Sequence, residues 1–428
     1  MNTNKSFKKF IVLWIGELIS AIGSGLTSFG LGIYVYEVTG KVSAMTIITL
    51  LAFLPGLLLR PIAGVIADRY DRRLLMILGD SLSALGLVYI LICMINGEAQ
   101  LCQICIGVTI SSVFGTLLEP AYNSTITDLL TEDQYAKASG LVQIAGSSKF
   151  LISPMIAGGL LVAFDIKLLL IIDIFTFFIT VASTFVVRKS IGTKEYVKKE
   201  NTSILTEFKE GWKAISQKKG ILFLVVLSSV ITFFLAFIET LSMPMSLAFM
   251  SSSKFGVCET ICATGMLVSS LLIGIKPIKK NYSKILSISL FLNGIFMALF
   301  GLRESVILLC IFGFLFFATL PYANTSIDVL IRSNIENELQ GRAWGLIGFI
   351  SQLGYILAYC TLGPLSDKIF TPLLVKGGAL ADSVGRIIGV GPGRGIGLLI
   401  VIGGIFVSIT SVVLYRVKSI KKLEVSNV

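Results

Sequence analysis

The chain has 428 residues, of which 54% are hydrophobic and only 14% carry a charge. With a mean hydropathy of +0.88, this composition excludes an ordinary soluble domain and indicates a protein of the membrane. The net charge of +11 would favour nucleic-acid binding only if the basic residues formed a face on a soluble domain, so we expect no nucleic-acid partner.

Six apolar segments in the first half of the chain are each long enough to cross a bilayer. Lysines precede the first of them, as they do in a signal peptide, but the segment is too long for one and lacks a small-residue cleavage site. We therefore keep it as a membrane span. The predicted spans cover residues 10–36, 44–67, 74–95, 101–126, 138–163 and 167–187.

A polar stretch separates these spans from six others. Between Ile204 and Ile215 its apolar residues recur at helical spacing, which predicts an amphipathic helix on the membrane surface or, alternatively, a solvated linker. The later spans cover residues 221–245, 258–275, 285–302, 305–329, 343–362 and 395–415. We therefore predict an all-α membrane protein of twelve transmembrane helices, with a six-helix bundle at 1–190, a cytoplasmic linker at 191–220 and a second six-helix bundle at 221–428.

Lysine and arginine are distributed unequally over the loops that these spans create. Of the 36 basic residues, 26 fall in the termini and loops of one side, 8 fall on the other side and 2 lie within spans. Because positively charged loops stay in the cytoplasm, both termini are expected to be cytoplasmic. The protein is then predicted to be a multi-pass protein of the cell membrane.

The two halves share short sequences at a constant offset. The fourth span ends with Pro120-Ala-Tyr-Asn123-Ser-Thr-Ile126, and the tenth ends with Pro321-Tyr-Ala-Asn324-Thr-Ser-Ile327, 201 residues later. Parallel six-helix repeats of this kind form transporters whose pathway lies between the halves. Asn123 and Asn324 are accordingly expected to lie along that pathway.

A charged loop, Gly64-Val-Ile-Ala-Asp68-Arg69-Tyr70-Asp71-Arg72-Arg73, lies between the second and third spans. Taken alone, it is as consistent with a simple topology anchor as with a functional loop. The chain nevertheless resembles the major facilitator superfamily here, because the signature loop of that superfamily has the same residue types at the positions of Gly64, Asp68, Arg69, Arg72 and Arg73.

The resemblance extends over most of the chain. Segments 23–29, 119–121 and 391–397 resemble, more narrowly, the branch that contains macrolide-efflux proteins and enterobactin exporters. The fifth span also has residues similar to a motif that marks drug:proton antiporters, namely Pro154, Gly158 and Gly159. Ser153 replaces a glycine of that motif, and small residues at this spacing also allow close helix packing.

In the superfamily, the aspartate of the signature loop contacts the second half when the inner side is closed. The resemblance implies that Asp68 would meet the start of the eleventh span near Arg342, where a helix N-terminus and a guanidinium both favour an anion. A similar string, Gly363-Pro-Leu-Ser-Asp367-Lys368, is placed on the opposite side of the membrane, in a loop after the eleventh span. We set it aside as a look-alike.

Charges within spans cost at least about 2.5 to 3.5 kcal/mol each, so they require an explanation. In the first half these are Glu17, Arg60, Glu119 and Lys149. At about 1.5 Å per residue, all four lie on the order of 10 to 17 Å from the inner surface. They form a static charge network in one interpretation; in the other, Glu17 or Glu119 exchanges its partner for a proton or a cationic substrate.

Three further acids are candidates for the transport pathway. Asp173 and Glu239 are predicted to lie near the outer ends of their spans, shallow enough to be wetted. Asp328 lies one helical turn from Arg332, which is equally compatible with a local ion pair and with a gate contact.

We predict from these features a secondary active transporter, not an enzyme, that exports amphipathic small molecules in exchange for protons and acts as a monomer. The alternative on the same fold is an importer or exchanger of a small anionic solute bound by Arg60 and Lys149. A membrane enzyme or lipid-handling protein is disfavoured, because the chain has no histidine and no acyl-transfer or nucleotide-binding motif. No cofactor or metal site is expected, and the seven cysteines are interpreted as packing residues.

Overall fold

The computed structural model describes residues 6–191, 209, 211–213, 215–335 and 337–425. Within these residues, twelve helices are long and apolar enough to cross a membrane, which confirms the predicted fold class. A chain segment in lipid must satisfy its backbone hydrogen bonds internally, and the α-helix does so for every apolar segment here. Most of the amphipathic helix predicted at 204–215 lies outside the described residues, and the domain limits at 190 and 220 remain a prediction.

The first six spans comprise eight α-helices because two spans are interrupted. Thr116 and Leu117 separate the two helices of the fourth span, and Ile152 separates those of the fifth. Pro120 and Pro154 follow these breaks, each in the first turn of the next helix, where a missing N–H is tolerated. The helices are α1 Phe7–Thr39, α2 Val42–Arg69, α3 Arg72–Ile95, α4 Leu101–Gly115, α5 Leu118–Leu129, α6 Glu132–Leu151, α7 Ser153–Ala163 and α8 Ile166–Ile191.

The last six spans continue the series. Their helices are α9 Lys219–Leu247, α10 Ser252–Ile275, α11 Tyr282–Leu302, α12 Val306–Arg332, α13 Asn337–Leu365, α14 Thr371–Leu373, α15 Gly385–Ile388, α16 Arg394–Arg416 and α17 Lys418–Val425. A π-helical turn, Ser366–Phe370, joins α13 to α14.

The eleventh span differs from its prediction. It runs to Leu373, whereas the sequence placed its end at residue 362 and assigned Gly363–Lys368 to a loop. Glycine, proline and two charges lower the local hydropathy and imitate a loop, but Pro364 is accommodated within α13 and the π-helical turn continues the helical path. The look-alike string is therefore part of a helix.

The chain divides into two compact units. Unit 1 comprises the described residues within Met1–Gly40, Ile47–Lys199 and Ser252–Val257, and unit 2 those within Lys41–Thr46, Glu200–Ser251 and Cys258–Val428. Two helices are thus shared: the first turns of α2 belong to unit 2, and those of α10 belong to unit 1.

Unit 1 is organised around α1, which packs against α8, α6 and α7, while α3 packs against α4 and α8. Between α3 and α4 the backbones approach closely, and a Cβ atom on Gly86 would lie 2.8 Å from the backbone nitrogen of Ser111. In a membrane the hydrophobic effect does not drive helices together, so small residues that allow close van der Waals packing stabilise their association.

In unit 2, α11 packs against α16 and α12, and α9 packs against α13. The short amphipathic helix α17 closes one end of the unit and buries Ile420 and Leu423. Glu424 accepts hydrogen bonds from the backbone nitrogen of Ser283 at 2.8 Å and from its hydroxyl at 3.1 Å, which fixes α17 to the start of α11.

Candidate functional site

The signature loop is a two-residue turn between α2 and α3. Asp71 is the N-cap of α3, and its carboxylate accepts hydrogen bonds from the backbone N–H groups of Arg73 at 3.0 Å and Leu74 at 3.4 Å. Aspartate is a favoured N-cap because it satisfies otherwise unpaired N–H groups. The start of α3 therefore accounts for an aspartate at this position.

Asp71 also binds α8. The Arg188 Nε donates to its carboxylate at 2.8 Å. Burial raises the pKa of Asp71, but the hydrogen bonds from Arg188 and from the backbone of Arg73 and Leu74 outweigh it, so the pKa lies below its ordinary value of 3.8.

We expect Asp71→Ala to destabilise the protein by about 1 to 3 kcal/mol at pH 7, because it removes both the cap and the ion pair. A carboxyl whose pKa is lower in the folded state stabilises that state above the ordinary pKa and loses the effect as pH falls through the folded pKa. The difference in thermal unfolding between Asp71→Ala and the parent should therefore be full above about pH 5 and shrink below pH 3.8. A difference that persists undiminished at pH 3 would contradict this.

The two arginines that follow Asp71 hold the end of α5. Arg72 and Arg73 contact the carboxylate of Asp128 at 3.2 and 3.3 Å, and Arg72 also donates to the Ser124 carbonyl at 3.1 Å. Arg73 is 1% exposed. The arginines thus connect the start of α3 to the end of α5, a structural function beyond setting the orientation of the chain in the membrane.

The other residues of the predicted gate are Asp68, Arg342 and Gly64. The side chains of Asp68 and Arg342 lie outside the described residues. A Cβ atom on Gly64 would meet no described atom within 4 Å.

A second cluster lies within the spans of unit 1. Arg60 and Glu119 form an ion pair, and their side chains are 56% and 60% exposed, so the pair is accessible and not enclosed by helices. Charged groups at membrane depth face a bundle interior or a water-filled cavity far more often than lipid. Glu17 is partly buried and lies within electrostatic range of Glu119.

Two buried aspartates extend this cluster. Asp80 and Asp173 are each 1% exposed, and Asp80 interacts electrostatically with both Glu17 and Asp173. The Asp173 carboxylate accepts hydrogen bonds from the hydroxyls of Ser24 and Thr176, both at 3.4 Å, whereas Asp80 Oδ2 has no hydrogen-bond partner among the described residues. We name Glu17, Asp80 and Asp173 the carboxyl cluster.

This arrangement corrects one expectation. Asp173 is buried instead of wetted, because hydroxyls on α1 and α8 line its position and Gly23 leaves room beside it. Lys149 also lies within electrostatic range of Asp173. Asp80 was overlooked, although it is a charge within an apolar window and the same rule would have found it.

Glu239 of unit 2 lies in an aromatic environment. The Tyr355 hydroxyl donates to Glu239 at 3.5 Å, and the Tyr355 and Tyr359 ring centroids are 5.9 Å apart. Glu259, another acid that sequence reasoning missed, interacts electrostatically with Glu239, and its Oε2 is buried without a hydrogen-bond partner in the described structure.

The remaining candidates are dispersed. Asp328 and Arg332 form an i,i+4 ion pair at 3.1 Å with both side chains largely exposed. Asn123 and Asn324 are exposed on α5 and α12. Pro154 and Gly158 pack against the first turn of α10, and a Cβ atom on Gly158 would lie 2.8 Å from the Ser252 carbonyl, whereas Gly159 has open space around it.

An apolar groove of about 410 Å³ lies between α11 and α16. Phe291, Ile405 and Ile409 line it, and it contains none of the charged residues described above. It lacks the convergent polar groups by which a site orients a ligand, so it is not the candidate pathway.

Twelve apolar helices among the described residues, with ionisable side chains inside the spans, are typical of a multi-pass membrane transporter. The chain belongs to the Major Facilitator Superfamily, because the sequence model of that family matches residues 13–359.

Relatives agree with this assignment. Macrolide efflux protein A of Streptococcus pyogenes is 26% identical over 373 residues, which cover 84% of this chain and 90% of that protein. An uncharacterised MFS-type transporter of Bacillus subtilis (strain 168), YfiS, is 25% identical over 374 residues, covering 85% of this chain and 88% of the relative. The crystal structure of the nucleoside transporter NupG shares the fold, with a TM-score of 0.73, 14% identity and coverage of 96% and 99%.

Proposed function

We propose that this transporter exports amphipathic small molecules in exchange for protons, as a monomer of the cell membrane with both termini in the cytoplasm. The observation that carries the proton coupling is the carboxyl cluster, in which Asp80 is buried within electrostatic range of two further acids and its Oδ2 has no hydrogen-bond partner among the described residues.

Three acids at this depth are costly when all are ionised, because neighbouring negative charges repel and burial removes water. Binding one proton relieves both costs. The chain contains no histidine, so carboxyl groups are the side chains best suited to carry that proton. Proton binding at Asp173 would also weaken the electrostatic attraction between that residue and Lys149.

Support for an amphipathic substrate comes from two sources. Three relatives carry the name macrolide efflux protein A. In unit 2, Phe233, Phe234 and Phe237 form a cluster on α9 with ring centroids 5.2 to 5.4 Å apart, in the same helix as Glu239. Aromatic surface beside a few polar groups is the usual composition of a site for a compound with both apolar and polar parts.

Inside-out vesicles test the proposal directly. With an acidified lumen, we expect uptake of a radiolabelled macrolide to collapse to the empty-vesicle level when a protonophore is added. Vesicles that contain Glu17→Gln protein should show the same collapsed uptake without the protonophore. Uptake that is indifferent to the protonophore would reject proton coupling.

The sidedness of the same vesicles tests the direction of transport. Accumulation in right-side-out vesicles and none in inside-out vesicles would replace the exporter with an importer. Competition by a small carboxylate would favour the anion exchanger, although Arg60 is already paired with Glu119 in the structure and an anion would have to displace that partner.

A further inference from the structure

Helix α2 begins without a cap of its own. Gly40 ends α1 in the left-handed conformation, with φ of 62°, and hydrogen-bonds back to the Tyr36 carbonyl. Lys41 is then the residue before Val42, where α2 starts, and a lysine side chain has no acceptor atom. The first N–H groups of a helix need acceptors from elsewhere.

Asp367, 325 residues away from Val42, supplies those acceptors within unit 2. One carboxylate oxygen accepts from the Val42 N–H at 3.0 Å, and the other accepts from the Ser43 N–H at 2.9 Å and from the Ser43 hydroxyl at 2.6 Å. Hydrogen bonds to an ionised group are about twice as strong as neutral ones, and the positive end of the helix dipole favours the anion further.

The segment around Asp367 is shaped for this contact. Gly363 allows close approach, because a Cβ atom there would lie 2.6 Å from the Ser43 Cα and 2.6 Å from the Thr46 hydroxyl. Asp367 itself lies in the π-helical turn Ser366–Phe370. Single π-helical turns are rare and occur frequently at functional positions.

The contact lies at the first turn of α2, where its release would allow this end of the helix to move. Residues Lys41–Thr46 pack with unit 2, while the rest of α2 belongs to unit 1. For α2 to separate from the segment around Asp367, its first turn would therefore have to release these hydrogen bonds. The spacing Gly363-x-x-x-Asp367 equals that of Gly64-x-x-x-Asp68 at the other end of α2.

We propose that Asp367 is a releasable latch on the first turn of α2. Its three hydrogen bonds stabilise the state in which this end is closed, and their loss shifts the population towards the state in which α2 has separated. This inference rests on membership of the transporter family and is independent of the proposed substrate and of proton coupling.

A buried reporter measures the opening. Thr46 is 1% exposed and faces Gly363. In a background with the seven native cysteines replaced by serine, we would introduce Thr46→Cys and follow its reaction with a maleimide in purified protein in detergent. Asp367→Asn should accelerate labelling about tenfold or more, the scale of losing a charge-assisted hydrogen bond. The matched control is Asp382→Asn, an exposed acid of the same unit, which should label at the parental rate.

A further variant separates a latch from an ordinary helix cap. Lys41→Asn gives α2 a local N-cap. If Asp367 served only to stabilise the helix start, Lys41→Asn combined with Asp367→Asn would restore slow labelling, and the proposal would be overturned. A latch predicts that labelling stays fast in the double variant.

Gly363→Ala keeps the proposal testable if Asp367→Asn does not fold. The added methyl pushes Ser43 away and should also accelerate labelling, whereas Gly274→Ala, at a site with no described atom within 4 Å, should not. Parental labelling rates in both Asp367→Asn and Gly363→Ala would overturn the latch. Because labelling needs neither a proton gradient nor a substrate, failure of the vesicle experiment leaves this result unaffected.

Discussion

Replacing Asp128 with alanine is expected to lower the free energy of unfolding by about 3 to 5 kcal/mol. Asp128 contacts both Arg72 and Arg73, at 3.2 and 3.3 Å, and Arg73 is 1% exposed. Without the carboxylate, the buried guanidinium of Arg73 loses a counter-charge. Removing one partner of a buried ion pair costs more free energy than the intact pair contributes, because the remaining charge is left buried without compensation. Intrinsic-fluorescence thermal unfolding of the purified protein in detergent measures the effect.

The control for this prediction is an exposed ion pair. Asp165 and Lys167 lie 3.2 Å apart with side chains 58% and 41% exposed, and exposed pairs contribute only about 0 to 1 kcal/mol. Asp165→Ala should therefore leave thermal unfolding close to that of the parent. If Asp128→Ala and Asp165→Ala shift unfolding equally, the signature arginines do not depend on Asp128 as described.

The spans were predictable because hydropathy is a property of each segment by itself. Twelve apolar windows predict twelve helices whatever their neighbours are, and the structure has them at nearly the predicted limits. The tenth and eleventh spans show where this fails. Val306–Arg332 continues three residues beyond its predicted end, and the eleventh span continues eleven residues beyond, because a helix that is partly protected by its neighbours tolerates polar and charged residues.

Partners of charged residues were not predictable in the same way. Sequence position gives the depth of a side chain along a span, but not the direction in which it points or what it meets. Asp173 has a shallow position in the sequence and is nevertheless buried, because Ser24 and Thr176 provide hydroxyls around it. The pairing of Asp367 with the first turn of α2 is a still clearer case, since the partners are hundreds of residues apart and neither forms a local motif.

The two clusters of unit 1 divide its charged residues by function. The ion pairs of Asp71 with Arg188 and of Asp128 with Arg72 and Arg73 join α3, α5 and α8 at the signature loop, so these charges have a structural role. Among the described residues, Asp80 Oδ2 has no hydrogen-bond partner, and the charged groups that act on Asp80 are the acids Glu17 and Asp173. A transport function is therefore best tested at Asp80.

Asp80→Asn is expected to abolish gradient-driven transport while leaving substrate exchange intact. Asparagine has nearly the same shape as aspartic acid but binds no proton, so the cluster would be fixed in a state that resembles the protonated one. Uptake driven by a proton gradient should fall to the rate measured with protonophore. Exchange of external unlabelled for internal labelled substrate, which requires no net proton movement, should continue at close to the parental rate.

Two comparisons make this result specific to the cluster. Asp328→Asn changes an acid that is largely exposed and paired with Arg332, and it should retain gradient-driven uptake. Asp80→Asn protein should unfold at a temperature no lower than that of the parent. Asp80 Oδ2 is buried and has no hydrogen-bond partner among the described residues, so removing the charge relieves a desolvation cost. If Asp80→Asn protein remains fully driven by the gradient, Asp80 carries no transported proton, and the coupling site must be sought among the other acids, beginning with Glu17 and Asp173 of the same cluster.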